Sequence, residues 1–156
     1  MRATDVITLN NPPNFGAATT LFGQAIGSPK NPAIVLVASD GTINNRCQIH
    51  EYQNNSHSAI QSNVTSVSDL SGAPWLPGIR GKIAVAISDG DHTLVFNGAA
   101  PATASPAYAA GPTFNQIAIG NSPDHFPWDG YLERIAIWPG TRVPNATLRA
   151  ITTLIT

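Results

Sequence analysis

Cysteine, charge and long apolar runs are all scarce in this 156-residue sequence. Cys47 is the sole cysteine, so no intrachain disulfide can form. It lies in a strand-like run and reads as a small core side chain, because a free cysteine without a base beside it behaves as a buried hydrophobe. Only 11% of residues are charged, and the eight Lys and Arg against nine Asp and Glu leave a net charge of −1. The basic residues are scattered. That excludes the basic stripe that nucleic acid demands and the polybasic cluster of a membrane-surface anchor. Nothing approaches the ~18 consecutive apolar residues of a spanning helix, so no membrane insertion is expected. The N-terminus lacks a basic region followed by an apolar stretch, so no signal peptide is expected either. The four histidines (His50, His57, His92, His125) show no zinc-type pairing.

What is abundant points to β-structure. Hydrophobic residues make up 42%, with 13 Gly and 13 Pro, and Asn, Ser and Thr fill the remainder. Short strands joined by uncharged polar loops in a single domain over 1–156 follow from that balance. Arg2–Leu9 reads as the first strand. Ala18–Ala25, the continuously apolar Ala33–Ala38, Ile43–Tyr52 and Ser58–Thr65 follow. Ser68–Gly81 reads as an irregular excursion. Ile83, Val85 and Ile87 alternate with Ala84 and Ala86; Asp89–His92 turns the chain and Leu94–Phe96 returns, a hairpin. Ala99–Pro112 is an Ala-, Pro- and Thr-rich loop with room for one edge strand. Ile117 and Ile119 mark a further strand.

Gly130–Pro139 is the stretch around which the rest is organised, opened by the Trp128-Asp129-Gly130 turn and stopped by Pro139. Ile135 and Ile137 share one face, and strict alternation sends Leu132 to the other. Either both faces are covered or a bulge falls between Leu132 and Ile135. Leu148, Ile151 and Ile155 have helical spacing after Pro144, which predicts a short C-terminal helix. No capping box is present, and Asn145 is the cap candidate.

The runs Phe114–Asn121, Asp129–Pro139 and Arg142–Thr152 together resemble the end of a concanavalin A-like (laminin G-like) jelly roll. They most resemble the version at the C-terminus of bacteriophage and prophage tail and other virion proteins. Ser39–Arg46 and Gly81–Ile87 fit the same pattern. The resemblance implies an all-β concanavalin A-like jelly-roll sandwich of two antiparallel sheets with a short C-terminal helix. It also implies a non-enzymatic virion surface module that binds bacterial surface polysaccharide or a receptor as part of a tail-type protein. The alternative is a structural capsid-decoration or fibre-tip domain whose partners are other virion proteins. A homo-oligomer such as a trimer, made in the host cytoplasm and built into the virion, belongs to either reading.

Glucanases share that fold and need two carboxylates ~5 Å apart across the scissile bond. The nine acidic residues form no alternating array, and Asp89-Gly90-Asp91 reads as a turn, so no catalytic residues are expected. Calcium is the one cofactor the resemblance allows, with loop oxygens from Asp124 and Asp129. A glycan surface needs aromatic platforms among Asn, Asp and His. Asn121, Asp124, His125, Phe126 and Trp128 form one such segment. Asp69–Trp75 is a second, with Trp75 expected at a surface, and Glu51–His57 a third. Against this, Phe126 and Trp128 could serve as a plug for one end of the sandwich.

Overall fold

The computed structural model describes residues 7–10, 15, 18–62, 65–106, 114–121 and 126–153. The strands are β1 (Ile7–Asn10), β2 (Ala18–Ile26), β3 (Ala33–Ser39), β4 (Arg46–Tyr52), β5 (Asn55–Ser62), β6 (Thr65–Pro74), β7 (Arg80–Ser88), β8 (Asp91–Phe96), β9 (Ala102–Ala104), β10 (Gln116–Ile119) and β11 (Leu132–Pro139). One helix follows, α1 (Asn145–Thr152). Two antiparallel sheets form, one ordered β1-β10-β3-β4-β5-β6 and the other β11-β2-β7-β8-β9. This is the sandwich that the resemblance implies. Arg2–Val6 of the expected first strand and Ile155 of the expected helix lie outside the described residues.

Alternation decides what each sheet buries. Cys47, Ile49, Ile60 and Leu70 from one sheet meet Leu21, Ile83, Val85, Leu94 and Phe96 from the other in a single core. The five-stranded sheet is covered on its second face as well. There Phe22, Ala84, Ala86 and Val95 lie under Val143 and the fully buried Leu148 of α1. The alanines of β7 therefore mark the face against which a helix packs closely, and burying Leu148 there is worth roughly 2 kcal/mol. The segment before α1 is anchored by Arg142, whose Nε donates to Asp91 Oδ2 at 2.7 Å and whose Nη2 donates to Thr93 Oγ1 at 2.9 Å.

The β11 register shifts between Leu132 and Arg134, so Leu132 packs on the same core as Ile135 and Ile137. Both alternatives are realised: the bulge is present, and Ala136 and Trp138 on the other face of β11 pack against the cluster under α1. Other expectations fail. The strand expected over Ile43–Tyr52 starts only at Arg46, and the one expected over Ser58–Thr65 is split, residues 58–62 belonging to β5 and Thr65 to β6, with 63 and 64 outside the described residues. Ser68–Gly81 is not an irregular excursion: its first part belongs to β6, which pairs with β5. As an edge strand, β6 needs few apolar residues, and only its core face carries Leu70. Asn145 does not cap α1. Pro144 holds the cap position with no side-chain bond, and Asn145 is the first helical residue, its Oδ1 without a hydrogen bond.

Candidate functional site

One end of the sandwich gathers the β2–β3 loop, the β4–β5 turn, the β6–β7 loop and, from the connection between β10 and β11, residues 120–121 and 126–131. Backbone bonds lock them together. Ile26 N–H donates to Tyr131 O at 2.9 Å, Gly27 to Ile79 O at 2.9 Å, Trp75 to Asn54 O at 2.8 Å and Ile34 to Phe126 O at 3.0 Å. Gln53 and Asn54 take φ of 51° and 60°, the left-handed pair of a tight hairpin turn. Gln53 N–H donates to Asn31 Oδ1 at 2.7 Å, tying that turn to the β2–β3 loop.

Beneath the loops lies an aromatic plug. Trp75 is fully buried, contrary to the surface position expected from its flanking prolines. Its ring centroid is 5.1 Å from both Phe96 and Trp128, and its Nε1 donates to Ile79 O at 3.0 Å. The backbone of Trp75 is a loop, but its side chain turns into the core, where so large an apolar surface is most stabilising. Trp128 is buried too, its Nε1 without a hydrogen-bond partner, so the plug reading holds for it, and Trp75 joins it there. Phe126 is exposed.

The surface of this end is apolar. Among the described residues, five of the eight exposed large hydrophobic side chains sit here: Tyr52 (41%), Leu76 (50%), Ile79 (55%), Phe126 (37%) and Tyr131 (69%). Asn31, Gln53, Asn54 and Asn55 rim them with amides. Phe126 and Trp128, the segment Asp69–Trp75 and the segment Glu51–His57, far apart in sequence, thus converge. Tyr131, Leu76 and Ile79 were not singled out from sequence. Tyr131 sits beside the turn glycine, and an exposed aromatic there has no periodic signal to betray it.

Just below the rim, on the outer face of the six-stranded sheet, β4 and β5 pair His50 with His57. The Tyr52 ring meets His57 edge-on, centroids 5.6 Å apart at 87°. His57 Nδ1 donates to Asp69 Oδ1 at 3.3 Å. On the opposite, core-facing side of β4, Glu51 is fully buried. Its Oε2 accepts Ser28 N–H at 3.1 Å and its Oε1 has no partner. Burial pushes its pKa up to about 7, against the smaller lowering effect of the Ser28 N–H. Ser28 Oγ in turn accepts Lys30 N–H at 3.1 Å and Asp129 N–H at 3.2 Å. Two of the loops therefore hang from one buried side chain.

Asp124 and His125 lie outside the described residues. Asn121 is half-buried with Oδ1 unpartnered. Asp129 faces the Lys30 ammonium at 3.9 Å, both side chains exposed. A carboxylate beside an ammonium is a poor cation ligand, and among the described residues no three His, Cys, Asp or Glu side chains gather to hold a metal. Asp124, the other residue expected at such a calcium site, lies outside the described residues. Asp89 is in the β7–β8 turn with Gly90 at φ 67°, as expected of a turn rather than a catalytic pair.

This sheet order, with its loop-rich end and C-terminal helix, is the concanavalin A-like, laminin G-like jelly roll. Among solved structures, the chain is similar to the Ruminococcus gnavus IT-sialidase CBM40 bound to alpha2,6 sialyllactose (TM-score 0.69, 11% identity, 94% of this chain and 96% of that one). It is similar to the botulinum neurotoxin serotype D binding domain (TM-score 0.72, 12% identity, 96% of this chain and 40% of that one). Mouse laminin alpha1 chain domains LG4-5 also match (TM-score 0.65, 9% identity, 86% of this chain and 39% of that one). No protein-family model matches the sequence, and no curated protein does. At these identities the likeness is one of fold; one of these neighbours holds sialyllactose and another is a toxin's binding domain.

Proposed function

We propose that this chain is a non-enzymatic glycan-binding module that presents its loop end to host-surface polysaccharide as part of a bacteriophage or prophage tail-type protein. The observation that carries the glycan reading is the convergence of Tyr52, Phe126 and Tyr131 at one amide-rimmed end. Sugar rings are apolar on their C–H faces and polar at their edges, so exposed aromatics among amides suit them. The sialyllactose held by the CBM40 neighbour supports the same reading. The virion setting, a homo-oligomer such as a trimer, and assembly from the host cytoplasm rest on the sequence resemblance of Phe114–Asn121, Asp129–Pro139 and Arg142–Thr152.

A second reading, a capsid-decoration or fibre-tip domain acting through protein contacts, draws on the aliphatic side chains. Leu76 and Ile79 at the loop end, and Ile7 and Leu9 on edge strand β1, are exposed and suit a protein partner better than a sugar. Binding of the purified chain to bacterial envelope polysaccharides separates the two. Saturable binding that falls in Phe126→Ala and Tyr131→Ala supports the glycan module. No binding to any polysaccharide, together with binding to virion particles lacking the chain, supports the structural role.

A further inference from the structure

We infer that the corner made by Tyr52, His57 and Asp69 is a sugar subsite that selects uncharged glycans over acidic ones. This rests on the glycan reading and names the substrate class within it. Tyr52 closes β4 with its ring exposed at the rim, and His57 buttresses that ring edge-on at 5.6 Å. A ring held from behind by a mostly buried neighbour is a rigid platform, and rigidity lowers the entropy lost when a sugar face stacks on it. His50 lies behind His57, ring centroids 5.4 Å apart, and is itself buried. The platform is therefore backed by side chains that do not need to reorder.

Asp69 supplies the polar half. His57 donates to one of its oxygens and fixes the carboxylate, while the Asp69 side chain remains 58% exposed. A carboxylate accepts hydrogen bonds and donates none when ionised. It suits the hydroxyl pairs of a neutral pyranose, and these bonds are of the stronger, charge-assisted kind. It repels a carboxylate or phosphate on the ligand. Lys30 pairs with Asp129, Arg80 with Glu133 and Arg142 with Asp91, and Arg46 Nε donates to Gln61 Oε1 at 2.7 Å. An anionic sugar arriving at Tyr52 meets the exposed Asp69 carboxylate. A corner of this kind differs from a site for sialic acid, whose carboxylate calls for a cationic partner.

The test uses the whole chain and two sets of soluble polymers. The neutral set is mannan, galactan and dextran; the acidic set is polysialate, hyaluronan and polygalacturonate. Binding is measured by calorimetry in low and moderate salt, with thermal melts confirming that each variant is folded. At least one neutral polymer should bind, and tighter than every acidic one by about tenfold, the size expected for a charge-assisted bond gained against a repulsion. Tyr52→Ala should lose about tenfold in affinity for the neutral polymer, while Tyr52→Phe keeps it. Asp69→Asn, which keeps the shape but removes the charge, should narrow the gap between the two sets. Preference for an acidic polymer overturns this inference and leaves the glycan module standing. Neutral binding unchanged in a folded Tyr52→Ala chain overturns the assignment of the subsite. Binding to neither set, by a folded chain, overturns both.

Discussion

His92 of β8 reaches across the sandwich to Ser58 of β5, Nε2 to Oγ at 2.9 Å. Its other ring nitrogen lies 2.7 Å from Ser68 Oγ. A histidine fully buried in this way stays neutral, and desolvation pushes its pKa down to about 4, against the raising fields of Asp69 and Asp91. The unfolded chain takes up this proton first, near the ordinary value of 6.5. The stability His92 secures is therefore complete above pH ~6.5 and is lost as pH falls toward ~4. Its full span is on the order of 3 kcal/mol.

Glu51 works with the opposite sign. Its folded pKa is raised from 4.5 to about 7, so the folded chain holds the proton longer. Its contribution is complete below pH ~4.5 and lost as pH rises toward ~7. Between the two limits the two slopes oppose each other. Glu51→Gln should leave stability rising from pH 4.5 to 6.5, and His92→Gln should leave it falling over the same window. Urea titrations of both variants and the parent at pH 4.5, 5.5 and 6.5 check the pair. Parallel curves for all three would contradict the assignment.

Trp75→Ala should cost about 3–5 kcal/mol in chemical denaturation, the usual range for emptying a fully buried indole site. Any glycan binding of the parent should persist at temperatures where the variant is still folded. Binding lost from a folded Trp75→Ala chain would place the indole in the site, against its burial.

Gly81 approaches the Trp75 plug so closely that an added Cβ would lie 2.6 Å and 2.7 Å from ring carbons of Phe96 and 2.7 Å from the Trp75 ring. Gly81→Ala should destabilise by about 1–3 kcal/mol through overpacking. Gly90→Ala meets open space at φ 67° and should cost about 1 kcal/mol, from backbone strain alone. Thermal melts of the two variants should rank them in that order.

Much of this was legible in the sequence where periodicity carried it. Ile83, Val85 and Ile87 mark a core face, and the alanines between them mark the helix side. The off-phase Leu132 left two readings open, a bulge or coverage of both faces, and the structure shows both. The β6 strand was hidden because an edge strand is half solvated, and Ser, Asp and Gly look like loop. Trp75 misled for a related reason: prolines set the backbone path, but burial of an indole is decided by neighbours that are distant in sequence. The candidate segments could each be named, yet their convergence depends on strand order, which no local pattern carries. Asp69 and His57 are twelve residues apart, and only the β5–β6 ladder brings them together.

The measurement that bears most directly on the glycan reading is a map of amide NMR shifts on titration with the tightest-binding neutral polysaccharide fragment. The account predicts perturbed amides at Tyr52 to His57, Asp69 and Phe126 to Tyr131, with α1 and the outer face of the five-stranded sheet unmoved. Shifts confined to α1 or to β1, or none at saturating fragment, would contradict it.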